Sequence, residues 1–170
     1  MKKIETARLR IREYTTEDLS ALHQILSDNL TMSFWPRPFD YSQCKEWIQK
    51  RGIENYQAGY GRLAVELKET GEIIGDAGLL KLETDGQIEN DLGYIIKSTY
   101  WGQGIGYEAA KALMMYGLED LHLKRICANM PETHQASRRV AEKLGMMLEK
   151  RFMNRRNRNI LTCLYIKTLN

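Results

Sequence analysis

Between residues 7 and 14 the chain reads Ala-Arg-Leu-Arg-Ile-Arg-Glu-Tyr. Leu9 and Ile11 share one face and Arg8, Arg10 and Arg12 the other, a period of two that predicts a half-buried strand. Thr15 with Asp18 three residues later resembles a capping box, and Leu19, Leu22 and Leu26 then mark one face of a helix. A second helix is predicted over about 41–57, carrying Trp47 and Ile48. Strands are expected over 62–68, 73–82 and 88–97, separated by the turn Glu69-Thr70-Gly71-Glu72 and by the hairpin signal Asp85-Gly86. After the glycine-rich run Gly102-Gln103-Gly104-Ile105-Gly106, the residues Ile105, Ala109, Leu113 and Tyr116 recur at helical spacing, giving a helix to about residue 118. Residues 125–130 read as a strand, and Ala136, Val140 and Leu144 as a helix stopped by Gly145. Strands near 147–153 and 159–167 close the pattern around a polar, basic turn.

The order β α α β β β α β α β β defines a mixed α/β class. The helix between strands 88–97 and 125–130 makes them parallel neighbours, and the other strands can be antiparallel. With 170 residues, 43% of them hydrophobic and 28% charged, the expectation is a single domain spanning 1–170. The longest apolar stretch, around Leu113 to Tyr116, falls far short of the ~20 residues that span a bilayer. The opening residues reach no apolar signal core, so a cytoplasmic protein without a membrane partner is expected. Cys44, Cys127 and Cys163 are scattered, and so are His23, His122 and His134, which suits neither a disulfide frame nor a metal site. The net charge of +3 is unevenly spread: residues 1–123 carry −5 and residues 124–170 carry +8. A basic final third fits an anionic ligand or a solvated surface, and no nucleic-acid motif accompanies it.

Three glycines in five residues between a strand and a helix suit an anion. Glycine allows a sharp turn and close approach of backbone N–H groups, and a helix N-terminus adds positive partial charge. A Walker loop is excluded because no Gly-Lys-Ser/Thr follows, and the dinucleotide fingerprint fails on spacing. A tight packing turn is the alternative.

The wider context is more specific. The stretch Asp91-Leu-Gly-Tyr-Ile-Ile-Lys-Ser-Thr-Tyr-Trp-Gly-Gln-Gly-Ile-Gly-Tyr-Glu-Ala resembles the acetyl-CoA motif of the GNAT N-acetyltransferase superfamily, in particular its ribosomal-protein N-terminal acetyltransferase branch. The resemblance extends to Thr6-Ala-Arg-Leu-Arg-Ile-Arg12, to Leu67-Lys-Glu-Thr-Gly-Glu-Ile-Ile-Gly-Asp-Ala-Gly-Leu79 and to Ala136-Ser-Arg-Arg-Val-Ala-Glu-Lys-Leu-Gly-Met146, nearly the whole chain. It implies a GNAT fold, with a mostly antiparallel sheet holding one splayed parallel pair. It also implies acetyl-CoA as acyl donor, no metal, and a primary amine as acceptor, either a protein N-terminus or a small amine attacking directly in a ternary complex. A CoA-binding module without acceptor chemistry is the alternative, and dimers are frequent in the family.

Residue by residue, the resemblance implies that Tyr94, Ile95 and Ile96 pair with pantetheine as with an added strand. Trp101, Gly102, Gln103, Gly104, Ile105, Gly106 and Tyr107 form the pyrophosphate loop. Trp101 stands where the family usually has Arg or Gln, which leaves the binding to backbone amides from 103 to 107. Asp91 is the candidate base, acting through water on an amine that is largely protonated at neutral pH, with Glu89 on the same strand face in reserve. Ser137 is the candidate donor to the leaving thiolate, with Tyr94 and Tyr107 as alternatives. Ala141 stands where many relatives have tyrosine, so the general acid is open. His134 either contacts the cofactor or caps its helix. Arg138 and Arg139 either neutralise CoA phosphates or form a solvated face. The loop Phe34-Trp35-Pro36-Arg37-Pro38 and the basic turn 154–158 border the acceptor pocket or simply cover the fold.

Overall fold

The computed structural model describes residues 3–169. Among the described residues, eight strands form one sheet in the order β1-β2-β3-β4-β5-β6-β8-β7. They are β1 (Ile4–Glu5), β2 (Leu9–Arg12), β3 (Gly61–Leu67), β4 (Ile73–Thr84), β5 (Gln87–Ile96), β6 (Arg125–Pro131), β7 (Met147–Asn154) and β8 (Ile160–Thr168). All neighbours are antiparallel except β5 and β6. The β4–β5 hairpin turns on Asp85 and Gly86, both at positive φ (49° and 81°), as the Asp-Gly signal requires.

Helices cover both faces. On one, α1 (Leu19–Leu26) and α2 (Tyr41–Trp47) bury Leu22, Ile25, Leu26 and Cys44 against Ala64 of β3 and Ile95 of β5. On the other, α3 (Ile105–Met115) and α4 (Gln135–Lys143) bury Ile105, Ala109, Leu113 and Ala141 against Leu63, Leu79, Leu92 and Ile126. The alternation that sends Leu92 to one core and Ile95 to the other also divides the candidate site between the two faces.

Departures from the sequence pattern are local. The Thr15–Asp18 capping box forms, but it opens a 3-10 turn (Thr16–Asp18) before α1 begins. The predicted helix over 41–57 starts well, with Asp40 accepting from the Gln43 amide, then changes to a π turn at Ile48–Gly52 and a 3-10 turn at Ile53–Ala58. Glycine at 52 is tightly enclosed, since a Cβ there would lie 2.8 Å from the Tyr56 hydroxyl. The helix expected to reach 118 likewise leaves α geometry after Met115. β1 was too short to show as a pattern; it is held by pairing with Arg10 and Ile11.

Candidate active site

The parallel pair touches at one register position, Asp91 opposite Cys127, and then parts. β4 continues to pair with β5 as far as Gly75 opposite Ile96, and β8 with β6 as far as Thr162 opposite Pro131, so each strand stays held from its outer side. The result is a wedge that opens toward the C-terminal ends of β5 and β6. Lys97 N donates to Ile74 O at 2.9 Å, and the β4–β5 register is unbroken. Odd-numbered residues of β5 therefore exchange hydrogen bonds with β4, whereas Tyr94 and Ile96 turn their main-chain groups toward the wedge. This corrects the expectation for Ile95: its N–H and C=O belong to the β4 ladder, and its side chain is core.

Beyond β5, the chain is pinned at three points. Ser98 N donates to Thr31 Oγ1 at 2.9 Å, Tyr100 Oη donates to Glu72 at 2.6 Å, and Trp101 Nε1 donates to Ile96 O at 2.7 Å. The Trp101 indole is thus a brace for the loop. Gly102 and Gly104 both lie at φ 76°, the left-handed region that favours glycine, and Gly104 is the N-cap of α3. A Cβ on Gly102 would meet nothing within 4 Å, so the loop is an open cradle. The amides of Ile105, Gly106 and Tyr107 lie in the first turn of α3, where no intrahelical acceptor exists. Gly106 has a different function: its missing Cβ leaves room for the Tyr94 ring, which would lie 2.9 Å away.

Gln103 turns its carbonyl away from the cradle to accept from Arg8 Nη1 at 3.0 Å, while Arg8 Nε holds Glu108 at 2.7 Å. Beside this pair lies a cleft of about 490 Å³ lined by Arg8, Gly104, Tyr107, Lys111 and Lys143 among others. Lys143 Nζ stands 4.1 Å from the Tyr107 ring centroid. Open glycines, unpaired first-turn amides and basic side chains together fit a pyrophosphate and its attached nucleotide.

Asp91 is 9% exposed, on the α1/α2 face of the sheet. Asn129 Nδ2 donates to its Oδ1 at 2.6 Å, and the Cys127 thiol lies 3.7 Å away. Burial raises its pKa, opposed chiefly by the Arg62 guanidinium and the Asn129 hydrogen bond. Arg62, 4% exposed, is ion-paired with the fully buried Asp76; its Nε donates to Oδ1 at 2.6 Å. Asp76 also accepts from Tyr14 Oη at 2.7 Å and Trp47 Nε1 at 3.1 Å. Gly93 is what admits Arg62: a Cβ there would collide with Nη1 and lie 3.7 Å from Asp91 Oδ2.

Glu89, the reserve base, is committed elsewhere. It is 5% exposed and takes Arg125 Nε at 2.9 Å and Nη2 at 2.7 Å. Ser137, in the first turn of α4, accepts from Tyr94 Oη at 3.4 Å. It reaches the wedge from the α3/α4 side, opposite the face of Asp91. Burial raises the Tyr94 pKa. His134 is the N-cap residue of α4, yet its side chain makes no capping bond. It stacks on Phe34 with ring centroids 3.7 Å apart, and burial lowers its pKa to about 4. Arg138 is used within the fold, donating to Tyr165 Oη and Glu132 O at 3.3 Å each, while Arg139 is exposed. Trp35 packs edge-on against Phe39 and Trp47, so it belongs to the core cover.

Phe34 is also held by the basic turn, because Asn157 Nδ2 donates to its carbonyl at 2.9 Å. The Phe34 loop, the start of α4 and the turn between β7 and β8 are therefore joined. Sequence reading missed Arg62 and Asn129. Both left a signal, a charged or amide residue inside an apolar strand, but only the sheet shows that they converge on Asp91.

Residues 8–147 match the acetyltransferase (GNAT) domain family. The chain is 31% identical over 152 residues to the uncharacterized N-acetyltransferase p20 of Bacillus licheniformis, covering 88% of this chain and 84% of that one. Its fold superposes on a GNAT-family acetyltransferase crystal structure from Bacillus anthracis with a TM-score of 0.83, 25% identity and 98% of each chain covered. It also superposes on RimL, a ribosomal L7/L12 α-N-protein acetyltransferase in complex with coenzyme A (TM-score 0.80, 19% identity, covering 99% and 98%). With one parallel strand pair in an otherwise antiparallel sheet, as the sequence led one to expect, this chain belongs to the GNAT family of acetyltransferases.

Proposed function

We propose that the protein, as a single domain, moves an acetyl group from acetyl-CoA to a primary amine by direct attack in a ternary complex. The observation that carries this reading is the single Asp91–Cys127 register position, after which β5 and β6 part over the amide-lined cradle. Acetyl-CoA supplies an activated thioester. The amides at 105–107 hold its pyrophosphate, and the main-chain groups of Tyr94 and the N–H of Ile96 receive the pantetheine arm, the Ile96 carbonyl being held by Trp101. The Tyr94 N–H faces the gap, where it stabilises charge developing on the acetyl oxygen. Asp91, its pKa raised by burial, takes the amine proton through water, and the Asn129 hydrogen bond fixes its carboxylate. Ser137, hydrogen-bonded to Tyr94, lies on the opposite side of the gap to donate toward the leaving sulfur.

The test is release of free CoA thiol from acetyl-CoA with and without a panel of amines, with mass spectrometry of the products. Amine-dependent thiol release and an acceptor gaining one acetyl group support the reading. Release that ignores the amine, or none with any acceptor, counts against it.

A further inference from the structure

Arg51, in the π turn after α2, is half-buried, and among the described residues no hydrogen bond or ion pair engages its guanidinium. Leaving a partly desolvated charge unpaired is costly unless something else satisfies it. The next residue, Gly52, packs against the Arg62 main chain, where a Cβ would lie 3.3 Å from the Arg62 carbonyl oxygen, and the Arg62 guanidinium in turn reaches Gly93 beside Asp91, so Arg51 lies within electrostatic reach of Arg62, Arg156 and Asp91. Asp91 favours the Arg51 charge, but no ion pair joins the two among the described residues, and the two arginines oppose it; Arg62 is itself ion-paired with Asp76, and Asn129 donates to the Asp91 carboxylate. Arg156 adds a second positive charge, held by the main-chain oxygen of Glu83 and carrying no carboxylate partner among the described residues. The turn bearing Arg156 is in turn tied to the Phe34 loop through Asn157. The Asp91 side of the wedge thus carries two guanidinium groups without an ion-pair partner among the described residues, beside one carboxylate, an excess of one positive charge.

From this arrangement we infer that Arg51 is an acceptor-binding residue, and that the acceptor carries a carboxylate close to its primary amine. This rests on the acetyl-transfer reading given above. Such a carboxylate belongs to a free amino acid or to the N-terminus of an acidic peptide. Its charge satisfies Arg51, with Arg156 at the rim, while its amine faces Asp91. The same field works against a polycation such as spermidine, because every added ammonium group meets Arg51 and Arg156. It also favours the neutral form of the incoming amine, the form that attacks.

The experiment measures kcat/KM with acetyl-CoA for a C-terminally amidated Ser-Asp-Glu peptide, its Ser-Asn-Gln and Ser-Lys-Lys counterparts, free serine and glutamate, and spermidine. Calorimetric binding of the peptides to the CoA-loaded protein is measured in parallel. The acidic peptide or the free amino acids are preferred over the neutral amide by about tenfold, and which of the two leads identifies the source of the carboxylate. In Arg51→Gln the preference disappears through KM for the acceptor, while KM for acetyl-CoA is unchanged; Arg51→Lys retains part of it. Unfolding midpoints verify that both variants fold. Turnover without preference for acidic acceptors, or a preference that survives Arg51→Gln, overturns the inference and leaves the transfer reading standing. Arg51-dependent binding of the acidic peptide without turnover does the reverse. Absence of both turnover and binding overturns both.

Discussion

Replacing Arg62 by methionine keeps an unbranched apolar stem and removes the charged guanidinium. Asp76, fully buried, then loses its cation and keeps only the hydroxyl of Tyr14 and the indole N–H of Trp47. Removing one partner of a buried ion pair costs about 3–5 kcal/mol. Two surviving hydrogen bonds to the carboxylate place this case at the lower end, about 3 kcal/mol. The second variant, Arg62→Met with Asp76→Asn, removes the stranded charge and leaves an amide oxygen for Tyr14 and Trp47, so about 2 kcal/mol should return. Urea unfolding of the ligand-free protein at pH 7 measures both, provided the denaturant slopes agree. A loss below about 1 kcal/mol in the single variant, or a double variant no better than the single, would refute the argument. The same change removes a charge that lowers the Asp91 pKa, so the acid limb of the kcat/KM profile should move to higher pH. A limb that stays in place would dissociate Arg62 from Asp91.

Asp91→Asn should lower kcat by about 10²–10⁴ with little change in CoA affinity, in a comparison of steady-state rates with calorimetric CoA binding. Because burial raises the Asp91 pKa, ionising it costs stability as pH rises through the folded value; the asparagine variant should therefore resist urea better at pH 8, by a margin that vanishes near pH ~4. Gly104→Val forces a β-branched residue to φ 76°, costing about 1–2 kcal/mol, and should weaken CoA binding measured by calorimetry; unchanged binding removes the cradle from its role. His134 has its pKa lowered to about 4. Between pH 6.5 and 4 the unfolded chain therefore takes up a proton that the folded one refuses, and stability falls as pH falls. After allowance for partial exposure the loss is about 2 kcal/mol. His134→Phe, which keeps the stack on Phe34, should lose that much less over the same range in urea titrations.

Much of the architecture was legible because it depends on local periodicity. The alternation at Leu9 and Ile11, the Asp85-Gly86 hairpin and the glycine stop at Gly145 all appear where expected, with Gly145 at φ 72°. Where the pattern failed, tertiary contact had overridden it. Residues 48–58 have helical composition, yet Gly52 and Gly61 sit against the Tyr56 ring, and the backbone leaves α geometry to make room. Glu89 and Asp91 are equivalent in the linear alternation. Only the arrival of Arg125 from β6 neutralises the first, and only Asn129 and Arg62 set the environment of the second.

What the linear order alone established is the αβ succession, the parallel crossover and a glycine run between a strand and a helix, because turns, helix stops and strand alternation are properties of neighbouring residues. What required three dimensions is the charge of the cleft. Arg51, Arg62, Asp76, Asp91 and Asn129 belong to a helical turn and to four different strands, and a buried charge is defined by what surrounds it rather than by its place along the chain.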